Sequence, residues 1–254
     1  MRPGETVTAG RRTPSRLLVT LGAIGIRSLI SAAAAVLAAG AIAACGSSGS
    51  SGNGVADKSA NDILSSSTNA IQGAKSVHVS GSLNDGGQSI KLDLNILSGK
   101  GAKGTMTQNG LSFQLIAAGK YVYINGSPSF WKHFGGTAAA TLFQGKWLKA
   151  PANSGNFASL SSLTNLHSLA QALLTGHGSL TKGSTSTVNG QKVIAVTDSS
   201  KSSKLYVATT GKPYPVEIAK TGSASQHVDF DQYNASVALT PPAKSIDISQ
   251  LQGK

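Results

Sequence analysis

From Val77 onward the chain is written in short segments where apolar and polar residues alternate, each cut from the next by two to four turn-forming residues. Alternation of period two places every second side chain on one face of a strand, and separators this short permit only hairpins. Residues 77–83, 90–97, 102–108, 111–118 and 121–125 are the first five such segments. Their breaks fall at 84–87, 98–101, Asn109-Gly110 and Gly119-Lys120. Asn-Gly is the strongest hairpin signal among them, because both positions tolerate positive φ. After residue 128 the pattern becomes irregular. It resumes at Thr187-Val188, turns at Asn189-Gly190, and continues through 192–197, 204–209, 215–221, 227–230 and 236–239.

Two stretches break the alternation with helical spacing. Between residues 57 and 75, Ile63, Leu64, Ala70, Ile71 and Ala74 form one apolar stripe behind Ser59, a suitable N-cap. A second stripe, Phe157, Leu160, Leu163, Leu166, Leu169, Ala170 and Leu173, is ended by Gly176. The expected class is therefore α+β: a single antiparallel sheet of about ten or eleven strands, which must curl strongly into a half-barrel, with helices covering its concave face.

The segment before these elements is of another kind. Arg11, Arg12, Arg16 and Arg27 precede an uncharged run rich in Ala, Leu and Ile, which ends Ile42-Ala43-Ala44-Cys45-Gly46. A positive stretch, an apolar stretch and small residues before a cleavage point make a secretory signal. The last five residues resemble the bacterial lipobox, which implies thioether attachment of diacylglycerol to Cys45 and cleavage before it. The pair Arg11-Arg12 is followed by Thr13-Pro14-Ser15 rather than apolar residues, which favours ordinary secretion over the twin-arginine route. The expected organisation is a signal peptide at 1–44, a lipidated Gly/Ser-rich linker at 45–56 and one folded domain at 57–254.

Charge narrows the classes of partner. The formal net charge is +12, but all five arginines precede Cys45, so the basic surface of the exported part is made of lysine alone. Without the planar guanidinium fork, nucleic-acid recognition is not expected, and the surface suits solubility or an anionic envelope. The single cysteine excludes an internal disulfide.

Reactive constellations are sparse. Residues 99–104 match G-x-G-x-x-G, but 105–108 read as a strand where a dinucleotide site needs a helix, so this is a hairpin loop. His78, His133, His167, His177 and His227 show no metal-ligand spacing. Asp229 and Asp231 share a strand face, which reads as a solvated edge rather than a hydrolytic pair. No G-x-S-x-G elbow occurs. Neither enzymatic activity, a cofactor nor a metal is expected. Nine of the 13 aromatic residues lie between 113 and 157, in core packing or at the rim of a pocket.

The order of features resembles the actinobacterial LppX/LprAFG lipoprotein family and, more remotely, the LolA and LolB lipoprotein carriers. The residues that carry the resemblance are 74–79, Gly119-Lys120-Tyr121-Val122-Tyr123-Ile124, Phe130-Trp131 with Lys146-Trp147, and 188–193. They continue with Pro213-Tyr214-Pro215-Val216 and Phe230-Asp231-Gln232-Tyr233-Asn234 before Pro241-Pro242. The resemblance implies a deeply curved sheet, helices across its mouth and an apolar cavity for acyl chains of a lipid, glycolipid or lipoprotein. The expected lining is Leu160, Leu163, Leu166, Leu169 and Leu173 facing Leu94, Phe113, Leu115 and Tyr123. The protein would sit on the extracytoplasmic face of the cell membrane through Cys45, with a lipid or glycolipid ligand and an envelope transport protein as partners. The rival expectation is a non-catalytic interaction lipoprotein with a filled core and a protein partner, because an apolar stripe in a packed core has the same sequence as one lining a cavity.

Overall fold

The computed structural model describes residues 52–85, 87–153, 165–174, 176–221 and 226–248. The chain divides into Met1–Cys45, outside the described residues, and Gly46–Lys254. In the second unit, twelve strands form one open sheet in the order β12-β6-β5-β4-β3-β2-β1-β11-β10-β9-β8-β7. The first half comprises β1 (Ser76–Asp85), β2 (Gln88–Leu97), β3 (Gly101–Gln108), β4 (Leu111–Ala118), β5 (Tyr121–Gly126) and β6 (Leu148–Pro151). The second comprises β7 (Leu180–Val188), β8 (Gln191–Asp198), β9 (Ser203–Ala208), β10 (Pro215–Lys220), β11 (His227–Asp231) and β12 (Ile246–Asp247). All neighbours pair antiparallel except β12 with β6, which is parallel.

The expected hairpins form. Asn109 and Gly110 have φ of 49° and 80°, and Asn189 and Gly190 have 48° and 75°, so both residues of each turn occupy the left-handed region that matches strand twist. Residues 99–104 run from a turn directly into β3, with no helix after them. The halves of the sheet meet where β1 pairs with β11, from His78 opposite Asp231 to Ser82 opposite His227.

Three helices complete the unit: α1 (Ala60–Gln72), α2 (Pro128–Phe143) and α3 (Leu166–Leu174). Each begins on a side-chain cap that satisfies an otherwise orphaned backbone N–H. Ser59 Oγ accepts from Asp62 N at 3.2 Å, Ser127 Oγ from Phe130 N at 3.2 Å and Asn165 Oδ1 from Ser168 N at 3.1 Å. The three helices share one core with the sheet, in which Ile63, Ile71, Val77, Ile96, Leu115, Val122, Leu166 and Phe230 are fully buried.

Strand register explains how that core is continuous. Val77, Ile96, Ala102, Ala117, Val122 and Ala150 form one cross-strand row. Val79, Leu94, Gly104, Leu115, Ile124 and Leu148 form the next. At Gly104, φ is +157°, and a Cβ would run into the carbonyl of Asp93. At Gly81, φ is +144°, and a Cβ would meet the carbonyl of His227. These glycines let adjacent backbones approach where the sheet curls.

Beyond β6 and the parallel β12, which the sequence pattern did not anticipate and which bring ten or eleven strands to twelve, four expectations change. Helix α2 occupies a stretch read as irregular, because Gly135-Gly136 interrupts the period and Gly136 (φ 72°, ψ −172°) kinks the helix into two arms. Strand β7 starts at Leu180 rather than Thr187, since its residues 181–187 are all exposed and give no alternation. Residues 236–239 are not a strand but part of an irregular strap leading to β12. Finally, the folded unit begins before residue 57. Asn53 N donates to Thr209 O at 2.8 Å, its Nδ2 to Ala208 O at 3.0 Å, and Val55 is buried.

Candidate functional site

Helix α1 turns Ile63, Leu64, Ser67 and Ile71 toward the sheet, the set that repeats at helical spacing. Ser67 is the odd member. It is 0% exposed, one turn from Ile63 and from Ile71, and its Oγ has no hydrogen-bond partner among the described residues. An unpaired hydroxyl in an apolar interior costs about 1–3 kcal/mol. Trp131 Nε1 in α2 is likewise buried without a partner.

The expected lining is only partly assembled. Leu94 and Leu115 flank Gly104 in one row, and Phe113 and Leu166 belong to the same core. Tyr123 does not join them. Leu115 pairs with Ile124, so strand alternation turns Tyr123 to the opposite face, beside Tyr121 at 6.4 Å between ring centroids. Leu160, Leu163 and Cys45 lie outside the described residues, as do the side chains of Leu169 and Leu173.

Two clefts open at the rim where β1 starts and β2 ends. The larger, about 570 Å³, lies among Gln72–Ser76, Leu97, Ser98 and the strap residues 234–237. The smaller, about 180 Å³, is bounded by Gly99, Gly101, Ala117, Gly119, Tyr121, Ala152 and Asn165, the cap of α3. Lys100 lines both. Ala74 in the first and Ala117 in the second belong to the buried core, so each cleft reaches the core at one point among otherwise mixed polar and apolar lining that includes Lys100.

The strap is fixed by residues of the Phe230–Asn234 and Pro213–Val216 motifs. Asn234 N donates to Ser76 O at 2.9 Å, and Asn234 Oδ1 accepts from Lys75 N at 2.8 Å. Tyr233 stacks on Tyr214 at 3.9 Å and donates to Pro215 O at 2.8 Å. Burial pushes the Tyr233 phenol above its ordinary pKa, so it remains a donor. The motif therefore builds one wall of the larger cleft.

On the outer face, His78 Nδ1 lies 2.6 Å from Asp231 and Nε2 3.0 Å from Asp93. Partial burial draws the imidazole toward neutrality, but hydrogen bonds and charge from both carboxylates outweigh it and raise its pKa. Asp229 takes Asn189 Nδ2 at 2.7 Å and lies 3.3 Å from His227. Burial, helped by the charge of Asp229, raises the Glu217 carboxyl. Asp229 and Asp231 thus serve separate partners. Among the described residues, no three His, Cys, Asp or Glu side chains are arranged to hold a metal, and no helix is long and apolar enough to cross a membrane.

No family model matches the sequence, and no curated protein matches it. Among solved structures, the chain is similar to LprF from Mycobacterium bovis, with 15% identity, 73% of this chain and 97% of that chain covered, and a TM-score of 0.48. It is also similar to an outer membrane lipoprotein-sorting protein domain from Vibrio parahaemolyticus, with 14% identity, 72% and 80% covered, and a TM-score of 0.27.

Proposed function

We propose that this is an extracytoplasmic lipoprotein, tethered to the cell membrane by lipid on Cys45, whose interior takes the acyl chains of a lipid, glycolipid or lipoprotein for transfer or storage. The observation that carries the reading is Ser67: a fully buried hydroxyl without a partner among the described residues, on the apolar face of α1, a helix that packs on α3 and on β7, β8 and β10. An ester or amide carbonyl at the root of an acyl chain would accept that hydrogen bond, while the chain itself lies against Leu94, Phe113, Leu115 and Leu166. The remaining expected lining residues, Leu160, Leu163, Leu169 and Leu173, belong to the same proposal. Acyl chains leave water for apolar surface, and the larger cleft, which is lined by neither Ser67 nor these core residues, would take the headgroup at the rim. Lys75 and Lys100 at its edge suit a polar or anionic headgroup.

A second reading, the interaction lipoprotein with a filled core, draws on how tightly Leu94, Ile96 and Leu115 are packed, at 3%, 0% and 0% exposure. Ser67→Ala separates the two. In a carrier, native mass spectrometry of the mature lipoprotein from its own membranes shows a stoichiometric non-covalent amphiphile, and the variant retains less of it. In a filled core, no amphiphile is present, and removing the unpaired hydroxyl raises stability by about 1 kcal/mol. That second outcome overturns the carrier proposal.

A further inference from the structure

Two of the three exposed large apolar side chains among the described residues lie on α2: Phe134, 66% exposed, and Leu142, 51%. The third, Tyr121, sits beneath the ammonium of Lys149. Phe134 is held firmly. Its ring packs on Phe130 at 4.8 Å and edge-on to His133 at 4.9 Å, and Phe130 packs on Phe113 of the sheet at 5.1 Å. An aromatic ring braced on the core yet turned to solvent has already lost the side-chain freedom that binding would otherwise remove.

The charge on α2 and in the sequence around it has one sign, while just beyond its end Asp247 of β12 is paired to Lys149 at 2.8 Å. From Leu94 to Thr197 the sequence holds eight lysines and no acid, and Lys132 and Lys146, on and just beyond α2, are exposed. The strands under α2, β4 and β5, carry no acid either. Exposed aromatic and aliphatic side chains flanked by lysines, with the neighbouring carboxylate of Asp247 taken up by Lys149, match the interfacial zone of an anionic bilayer.

We propose that α2 is a membrane-contacting surface, with Phe134 and Leu142 entering the headgroup region of an anionic bilayer while Lys132 and Lys146 meet its phosphates. Strand register puts α2 at the rim opposite Asn53, where the tether from Cys45 joins the domain. Residues 46–52 span up to about 24 Å, and a six-residue strand such as β9 about 20 Å, so the tether lets this rim reach the same membrane. This use of the tether rests on lipidation of Cys45; the contact itself does not depend on whether the interior holds an acyl chain.

Residues 46–254 suit the test, because every described strand, helix and core residue lies within them. They also lack both the signal segment and the lipid anchor, so neither Cys45 nor its processing affects the result. Vesicles of phosphatidylglycerol with phosphatidylcholine, and of phosphatidylcholine alone, are sedimented with the protein. The expected result is binding to the anionic vesicles, lost in roughly 0.5 M salt. Phe134→Ser with Leu142→Ser, and separately Lys132→Gln with Lys146→Gln, should each weaken it about ten-fold with unchanged thermal midpoints. A fluorophore on Phe134→Cys should become quenched by nitroxide lipids, whereas one on Ser186→Cys of exposed β7 should stay aqueous. Wild-type binding by the serine pair, or an aqueous label at 134 on anionic vesicles, overturns the proposal. So does lipid-free self-association that the serine pair abolishes, which would make the patch a contact between copies of this chain.

Discussion

His78 joins the two halves of the sheet through chemistry that depends on its proton. A neutral imidazole donates one hydrogen bond, so it can serve Asp93 of β2 or Asp231 of β11 but not both; the imidazolium serves both. Asn95 of β2 faces it in register and carries no charge, and Lys103 of β3 stands one strand further along the same row, so the two carboxylates in direct contact, Asp93 and Asp231, are what favour the cation. Because the native pKa is raised, the contribution is complete below the unfolded value of about 6.5 and disappears as pH rises through the native pKa. His78 is partly exposed, so the loss should be about 1 kcal/mol or less. Urea midpoints between about pH 5.5 and 8.5 should fall for the wild type and flatten for His78→Gln across that range. Parallel curves for the two proteins would remove His78 from the account.

At the scale of elements, curvature depends on where the sheet has no side chain. Gly104 stands in the row between Leu94 and Leu115, and the Asp93 carbonyl occupies the space that a Cβ would need. Gly104→Ala should therefore destabilise the domain by about 2–3 kcal/mol, read as a lower denaturant midpoint with an unchanged slope. A change under about 0.5 kcal/mol would mean that β2 and β3 can separate freely there. Among these elements, α1 and the β3–β4 and β7–β8 hairpins were legible in advance, since Ser59 and the two Asn-Gly pairs act through purely local geometry. Helix α2 was not. Its apolar residues do not keep one stripe, because Phe130 and Trp131 pack inward while Phe134 and Leu142 face out on either side of the Gly136 kink.

At the scale of the whole molecule, attachment and interior are separate properties. If Cys45 carries diacylglycerol, two acyl chains give stable anchoring where one would be marginal. Cys45→Ser should then leave an unprocessed or released protein that no longer enters the detergent phase at the wild-type mature mass. Equal partitioning and equal mass would exclude Cys45 as the anchor. The fold should survive this substitution, since the described core lies entirely beyond residue 52.

The sequence by itself determined the hairpin order, the antiparallel pairing and the first helix, because alternation, Asn-Gly turns and helix caps act between residues a few positions apart. It also placed Leu94, Phe113, Leu115 and Leu166 in the interior, since apolar periodicity reports which face avoids water. Tertiary structure alone decided that Tyr123 faces away from them, because a strand's alternation gives two faces and only its partner's register says which is inner. Tertiary structure also decided that β12 returns to pair with β6, that Lys100 lines both rim clefts, and that Ser67 is buried without a partner. Each of these depends on segments tens of residues apart arriving at one place, and burial and hydrogen-bond satisfaction are properties of that place rather than of any local run of residues.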